Sequence, residues 1–80
     1  MKLYVYELEK VLYEGEIDRV TLPGSDGELT VLPQHASFIA TLKSGKITAH
    51  RKTEKVQSWE IERGFAMINH QSVTATVSVK

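Results

Sequence analysis

Apolar and polar residues alternate with a period of two along most of this chain, and no stretch sustains the 3.6-residue period of an amphipathic helix. The clearest run lies near the C-terminus, where Val73, Ala75, Val77 and Val79 alternate with Thr74, Thr76 and Ser78. Such a run reads as a strand with one dry and one wet face. Its β-branched residues would lose side-chain freedom against the preceding turn of a helix. Ile47, Ala49 and Arg51 alternate with Thr48 and His50 in the same way. Turn-forming residues punctuate the chain at Glu14-Gly15-Glu16, Pro23-Gly24-Ser25-Asp26-Gly27, Pro33-Gln34-His35, Ser44-Gly45, Thr53-Glu54-Lys55, Gly64 and Asn69-His70-Gln71. Between them the pattern predicts strands over residues 10–13, 17–22, 28–32, 36–42, 46–52, 56–62 and 65–68, besides the two terminal runs. Phe38, Ile39 and Leu42 would also share a helical face, but the run 36–42 is too short for a helix and is read as strand.

About eight to ten short strands with frequent turns predict an all-β fold, a flattened antiparallel sandwich of two sheets. The expected core is Leu3, Val5, Val20, Leu22, Leu29, Val31, Ile39, Leu42, Ile47, Ile61, Phe65, Met67, Val73 and Val77. With 80 residues, 1–80 form a single domain. A domain of this size buries only roughly 60% of the surface its unfolded chain exposes, so a partner would add usefully to its stability. Cysteine is absent, which excludes disulfides and thiolate metal sites.

Ten basic residues balance ten acidic ones, which argues against a nucleic-acid binder. The charges are unevenly spread: residues 1–28 carry seven acids against three bases, and residues 29–80 three acids against seven bases. Such polarity orients a protein within a complex, although strands with a wet face also need charged residues. No apolar run approaches the ~20 residues of a membrane span. The short apolar start, cut off at Glu7, does not read as a signal peptide, so the chain is expected to stay in the cytoplasm.

A search for catalytic chemistry finds little. His35, His50 and His70 lie too far apart in sequence for a local metal motif. No serine sits in a nucleophile elbow. The carboxylates Glu14, Glu16, Asp18, Glu60 and Glu62 recur at period two, the spacing of a solvated strand face. Gly24-Ser25-Asp26-Gly27-Glu28 is glycine-rich, but it lacks the lysine and following helix of a phosphate loop, and its acids would repel phosphate. No catalytic residue, cofactor or metal is therefore expected.

A hairpin connection explains Gly24 and Gly27, but not the whole segment from Gly24 through Leu29 and Pro33 to His35 and Ala36. That segment resembles the signature of the ATP synthase epsilon subunit (delta in mitochondrial nomenclature), in its N-terminal β-sandwich domain. Gly24, Gly27, Glu28, Leu29, Pro33, His35 and Ala36 match the family pattern G-x-x-G-x-x-G-I-L-P-x-H-A-P. Leu42-Lys43-Ser44-Gly45-Lys46-Ile47 is similar to its L-K-x-G-x-I, Ile61 to Phe65 to the strand entering its G-G step, and Val73-Thr74 to its last strand. Thr30 stands where glycine is usual, Ser37 where proline is, and Arg63 at the first glycine of the G-G step. The family's C-terminal helical hairpin has no residues here to carry it, nor has its nucleotide-sensing motif.

The resemblance implies a non-catalytic rotor subunit of the central stalk of F-type ATP synthase, on the cytoplasmic side of the energy-transducing membrane and not inserted in it. It would link the gamma subunit to the c-ring and help couple proton flow to ATP synthesis. It implies a c-ring contact through Ser25, Asp26, Gly27, Glu28, Leu29 and Val31, with Glu28 foremost, and a gamma contact near His35, Phe38 and Thr41. The alternative is a stand-alone sandwich binding carbohydrate, peptide or single-stranded nucleic acid. The first two need a row of exposed aromatics, available only from Tyr4, Tyr6, Tyr13 and Trp59. The third needs aromatics interleaved with bases, and none lies among Lys43, Lys46, Arg51, Lys52 and Lys55.

Overall fold

Eight strands carry the chain in a computed structural model that describes residues 1–8, 10–34, 36–52 and 54–79: β1 (Lys2–Glu7), β2 (Lys10–Glu16), β3 (Arg19–Gly24), β4 (Gly27–Val31), β5 (Phe38–Leu42), β6 (Gly45–Arg51), β7 (Glu54–Ile68) and β8 (Ser72–Val79). No helix occurs among the described residues. One layer runs β2-β1-β8-β7-β5, and the other runs β7-β6-β3-β4. The layers share β7 and meet again where Gly24 of β3 pairs Leu42 of β5. All pairings between these strands are antiparallel except β1 with β8, which run parallel.

The 15-residue β7 explains how one strand serves both layers. Its first half pairs β6 as far as Ile61, and its second half pairs β5 from Gly64 onward. The register against β8 shifts between Ile61 and Arg63, leaving Glu62 as the extra residue of a bulge. A one-residue insertion turns every later side chain to the opposite face. Ile61 therefore points inward, as do Ala66 and Ile68 beyond the bulge.

That switch corrects part of the expected core. Phe65 and Met67 keep the phase of Ile61 in the sequence, yet they face outward, 48% and 53% exposed. Ile39, paired with Met67, is likewise outward at 69%. Leu29 is half-buried at the edge. The remaining expected core residues are buried, and Ile17, Ala49, Ala66, Ile68 and Ala75 complete the interior. Each fully buried Leu, Ile or Val contributes roughly 1.5–3 kcal/mol of transfer free energy. Tyr13 packs its ring edge-on against Trp59, centroids 5.3 Å apart, closing one flank.

Several expected boundaries also change, Pro23 and Gly24 joining β3 and Glu54 and Lys55 joining β7 rather than turns. Glu14-Gly15-Glu16 does not turn but extends β2, pairing with Tyr4, Leu3 and Lys2. At Ile17-Asp18 the chain crosses to the other layer, Ile17 N donating to the Met1 carbonyl and Asp18 N to the His50 carbonyl. The strands expected over 56–62 and 65–68 are the single strand β7. The Asn69 turn forms as expected, because Asn69 Oδ1 accepts hydrogen bonds from Gln71 N at 2.9 Å and Ser72 N at 2.8 Å.

Candidate functional site

The expected contact loop is shorter than its sequence suggests. Only Ser25 and Asp26 lie outside strands, as a two-residue turn joining β3 to β4, while Gly27 to Val31 form β4 itself. Gly27 adopts φ +136°, a conformation L side chains rarely take and glycine reaches freely. Gly24 serves a close approach of backbone within the hairpin: a Cβ there would lie 2.6 Å from the Gly27 carbonyl oxygen.

Hydrogen bonds fix the hairpin tip to β5. Ser25 N and Ser25 Oγ both donate to the Thr41 carbonyl, at 2.8 and 3.1 Å, and Lys43 N donates to the Pro23 carbonyl at 2.9 Å. These bonds bring Ser25–Leu29 and Phe38–Thr41 to the two walls of one shallow groove of about 440 Å³. Leu29, Phe38 and Ala40 are half-buried there, while Asp26 and Glu28 present exposed carboxylates. The two sets of residues assigned above to separate partners thus adjoin. Val31 does not join them, because it is 1% exposed within the core and presents no side chain to a partner. Phe38 likewise packs partly against the core. His35 lies outside the described residues. The bend before it is tied down by Gln34 N, which donates to the His70 carbonyl at 3.0 Å.

A second surface was not anticipated. On the outer side of the β2-β1-β8-β7-β5 layer, Val11, Tyr6, Thr76, Phe65 and Thr41 stand opposite one another in register across five strands. A parallel row runs Glu14, Tyr4, Thr74, Met67 and Ile39. Tyr4 and Tyr6 stack with centroids 6.2 Å apart. Five strands give this face a width of roughly 20 Å. Among large apolar side chains, Val11, Ile39, Phe65 and Met67 are each about half exposed or more on it. Contiguous apolar area of this kind marks an interaction surface.

The sequence carried a signal for this face. Phe65-Ala66-Met67-Ile68 and Phe38-Ile39 are apolar in both phases of the strand period, the mark of a strand covered on both sides. The other layer has the opposite character. Its outer face carries a register row of hydroxyls, Ser58, Thr48, Thr21 and Thr30, bordered by Lys46 opposite Glu60.

Among the described residues no three His, Cys, Asp or Glu side chains cluster closely enough to hold a metal ion. The acids read above as a solvated strand face (Glu14, Glu16, Asp18, Glu60 and Glu62) are all exposed. Glu16 pairs with the Met1 ammonium at 3.0 Å, and Asp18 accepts a hydrogen bond from Lys52 N. Among the described residues no helix is long and apolar enough to cross a membrane.

Comparison with known proteins gives these surfaces a family context. Residues 1–79 match the family model of the ATP synthase delta/epsilon chain, β-sandwich domain. The ATP synthase epsilon chain of Leptospira interrogans is 42% identical over 74 residues, covering 92% of this chain and 58% of that protein. The epsilon chain of Nitratiruptor is 35% identical over 77 residues, covering 96% of this chain and 60% of that protein. This chain thus spans about three-fifths of the length of those relatives. In solved structures, a chain of the Euglena gracilis mitochondrial ATP synthase superposes with a TM-score of 0.85 at 20% identity, covering 94% of this chain and 48% of that one. A chain of the Tetrahymena thermophila mitochondrial ATP synthase central stalk and c-ring superposes with a TM-score of 0.77 at 13% identity, covering 98% and 63%. With an interior and strand plan of this kind and a family match over nearly its whole length, the chain belongs to the β-sandwich domain family of ATP synthase delta/epsilon chains.

Proposed function

We propose that this chain is a non-catalytic central-stalk component of an F-type ATP synthase, docked on the gamma subunit and seated on the c-ring. Its partners hold it at the cytoplasmic side of the energy-transducing membrane. The observation that carries this reading is the apolar outer face around Ile39, Phe65 and Met67, which a protein of this size leaves open to water only if something covers it. Gamma is the partner assigned to that face. Thr41, one of the gamma-contact residues expected from the sequence, lies on it.

The acidic tip at Asp26 and Glu28 is assigned to the c-ring, where basic groups on ring loops would pair with it. Both side chains are exposed, so each pair contributes only about 0–1 kcal/mol and mainly sets orientation. Transmission of torque asks for a body that does not shear, and strands hydrogen-bonded through a shared β7 supply one.

The test is a pull-down of this chain with purified gamma subunit, alongside a Phe65→Glu variant. Stoichiometric capture of the native chain and its loss in the variant are expected. Equal capture of both would remove the outer face from the interface. No capture of the folded native chain would overturn the gamma assignment altogether.

A further inference from the structure

Sulfur chemistry in this chain is confined to Met1 and Met67, since cysteine is absent. Met1 is half-buried and packs against the core. Met67 is 53% exposed and stands within the apolar face, opposite Ile39 on β5 and Thr74 on β8. A thioether is the most readily oxidised group that an apolar surface can present, and its sulfoxide is polar where the thioether is not. Resting on the docking role given to this face above, we propose that Met67 is a peroxide-sensitive modification site, whose oxidation on the free chain disables docking.

The step needs a hydroperoxide and nothing else. The Met67 sulfur lone pair attacks the distal peroxide oxygen. An S–O bond forms as the O–O bond breaks, and the departing oxygen takes up the proton and leaves as water or an alcohol. Sulfur loses two electrons and the peroxide gains them. The sulfoxide oxygen then stands among Ile39, Phe65 and Thr74, of which only Thr74 has a side-chain donor, one hydroxyl in place of the several hydrogen bonds it takes from water. Docking would strip its water without replacing the rest of those hydrogen bonds. Docking also covers Met67, so a partner already in place protects the sulfur. The sulfoxide is reducible by methionine sulfoxide reductases, so the effect is reversible.

The experiment treats the free chain with hydrogen peroxide, follows both methionines by peptide mass analysis, and titrates treated and untreated chain against gamma subunit. A Met67→Leu chain is carried in parallel. Met67 is expected to gain its oxygen well before Met1. The oxidised chain is expected to bind at least tenfold more weakly, equivalent to about 1.4 kcal/mol, and reductase treatment restores it. Whatever affinity Met67→Leu has before peroxide, it should keep that affinity afterwards. Oxidation of Met1 as fast as Met67 would overturn the proposal. So would native affinity in the oxidised chain, or peroxide sensitivity in Met67→Leu. Failure of the untreated chain to bind is a separate result: it overturns the docking role itself, and this proposal with it.

Discussion

Leu8 sits between β1 and β2 at φ +53° with 92% of its surface exposed. The left-handed region costs an L-residue with a Cβ roughly 1–2 kcal/mol, and Leu8 recovers almost none of that through burial. Asparagine tolerates the same region, so Leu8→Asn is expected to raise stability by about 0.5–1 kcal/mol, read as a higher urea midpoint with unchanged slope. Gly27 poses the opposite case. At φ +136° it has no atom within 4 Å of where a Cβ would lie, so any cost of adding one is conformational rather than steric. Gly27→Val is expected to lower stability by about 1–2 kcal/mol, and an unaltered thermal midpoint would show that the turn relaxes to another type. Taken together the pair separates backbone strain from packing, because neither substitution creates or fills a cavity.

At the scale of elements, the bulge in β7 decides which side chains make the core and which make the docking face. Ile68→Ala is expected to cost about 2–5 kcal/mol, since Ile68 is 3% exposed among core residues. Met67→Thr should change stability by no more than about 0.5 kcal/mol, because its side chain faces out and threonine suits a strand. Deletion of Glu62 would make Ile61 opposite Val79 and Arg63 opposite Ser78 consecutive pairs, so Phe65 and Met67 stay outward and Ile68 inward. A second residue inserted beside Glu62 would instead turn Phe65 and Met67 inward and Ile68 out. The insertion variant is expected to fail to give a cooperative melting transition, whereas the deletion keeps one and Glu62→Ala melts like the native chain. The same bulge explains what could be read from the sequence and what could not. Strand type was legible in β8, where only one phase is apolar, and the β3–β4 turn was legible from Asp26-Gly27. The facing of β7 and β5 was not, because Phe65-Ala66-Met67-Ile68 and Phe38-Ile39 are apolar in both phases and alternation cannot choose between them. An outward apolar phase was therefore assigned to the core, although it belongs to the candidate site. Val31 stands in both expected sets, the core from its strand phase and the c-ring contact from the resemblance, and the period of two sends its side chain inside.

For the whole molecule, the sandwich offers a partner an apolar side, a hydroxyl-lined side and an acidic hairpin tip between the layers. The tip adjoins the apolar face at Ile39 and Thr41, but Glu28 on β4 and Phe65 on β7 lie on strands that do not pair, so a change at one is expected to leave the other's contact intact. Glu28 is exposed and holds no ion pair among the described residues, so Glu28→Lys can be made without disturbing the fold. It reverses a charge at the surface assigned to the c-ring, replacing attraction to basic loops with repulsion. Binding to isolated ring is expected to weaken several-fold at low salt, and the difference from native should shrink as salt rises. Affinity for gamma should stay at the native value. Phe65→Glu should show the converse, weak on gamma and unchanged on the ring, and the double variant should show both losses without further coupling. Measurement of all four chains against each partner by calorimetry checks the scheme. If Glu28→Lys binds the ring as well as native chain does, the hairpin tip is not the seat, and the hydroxyl-lined face becomes the surface to mutate next.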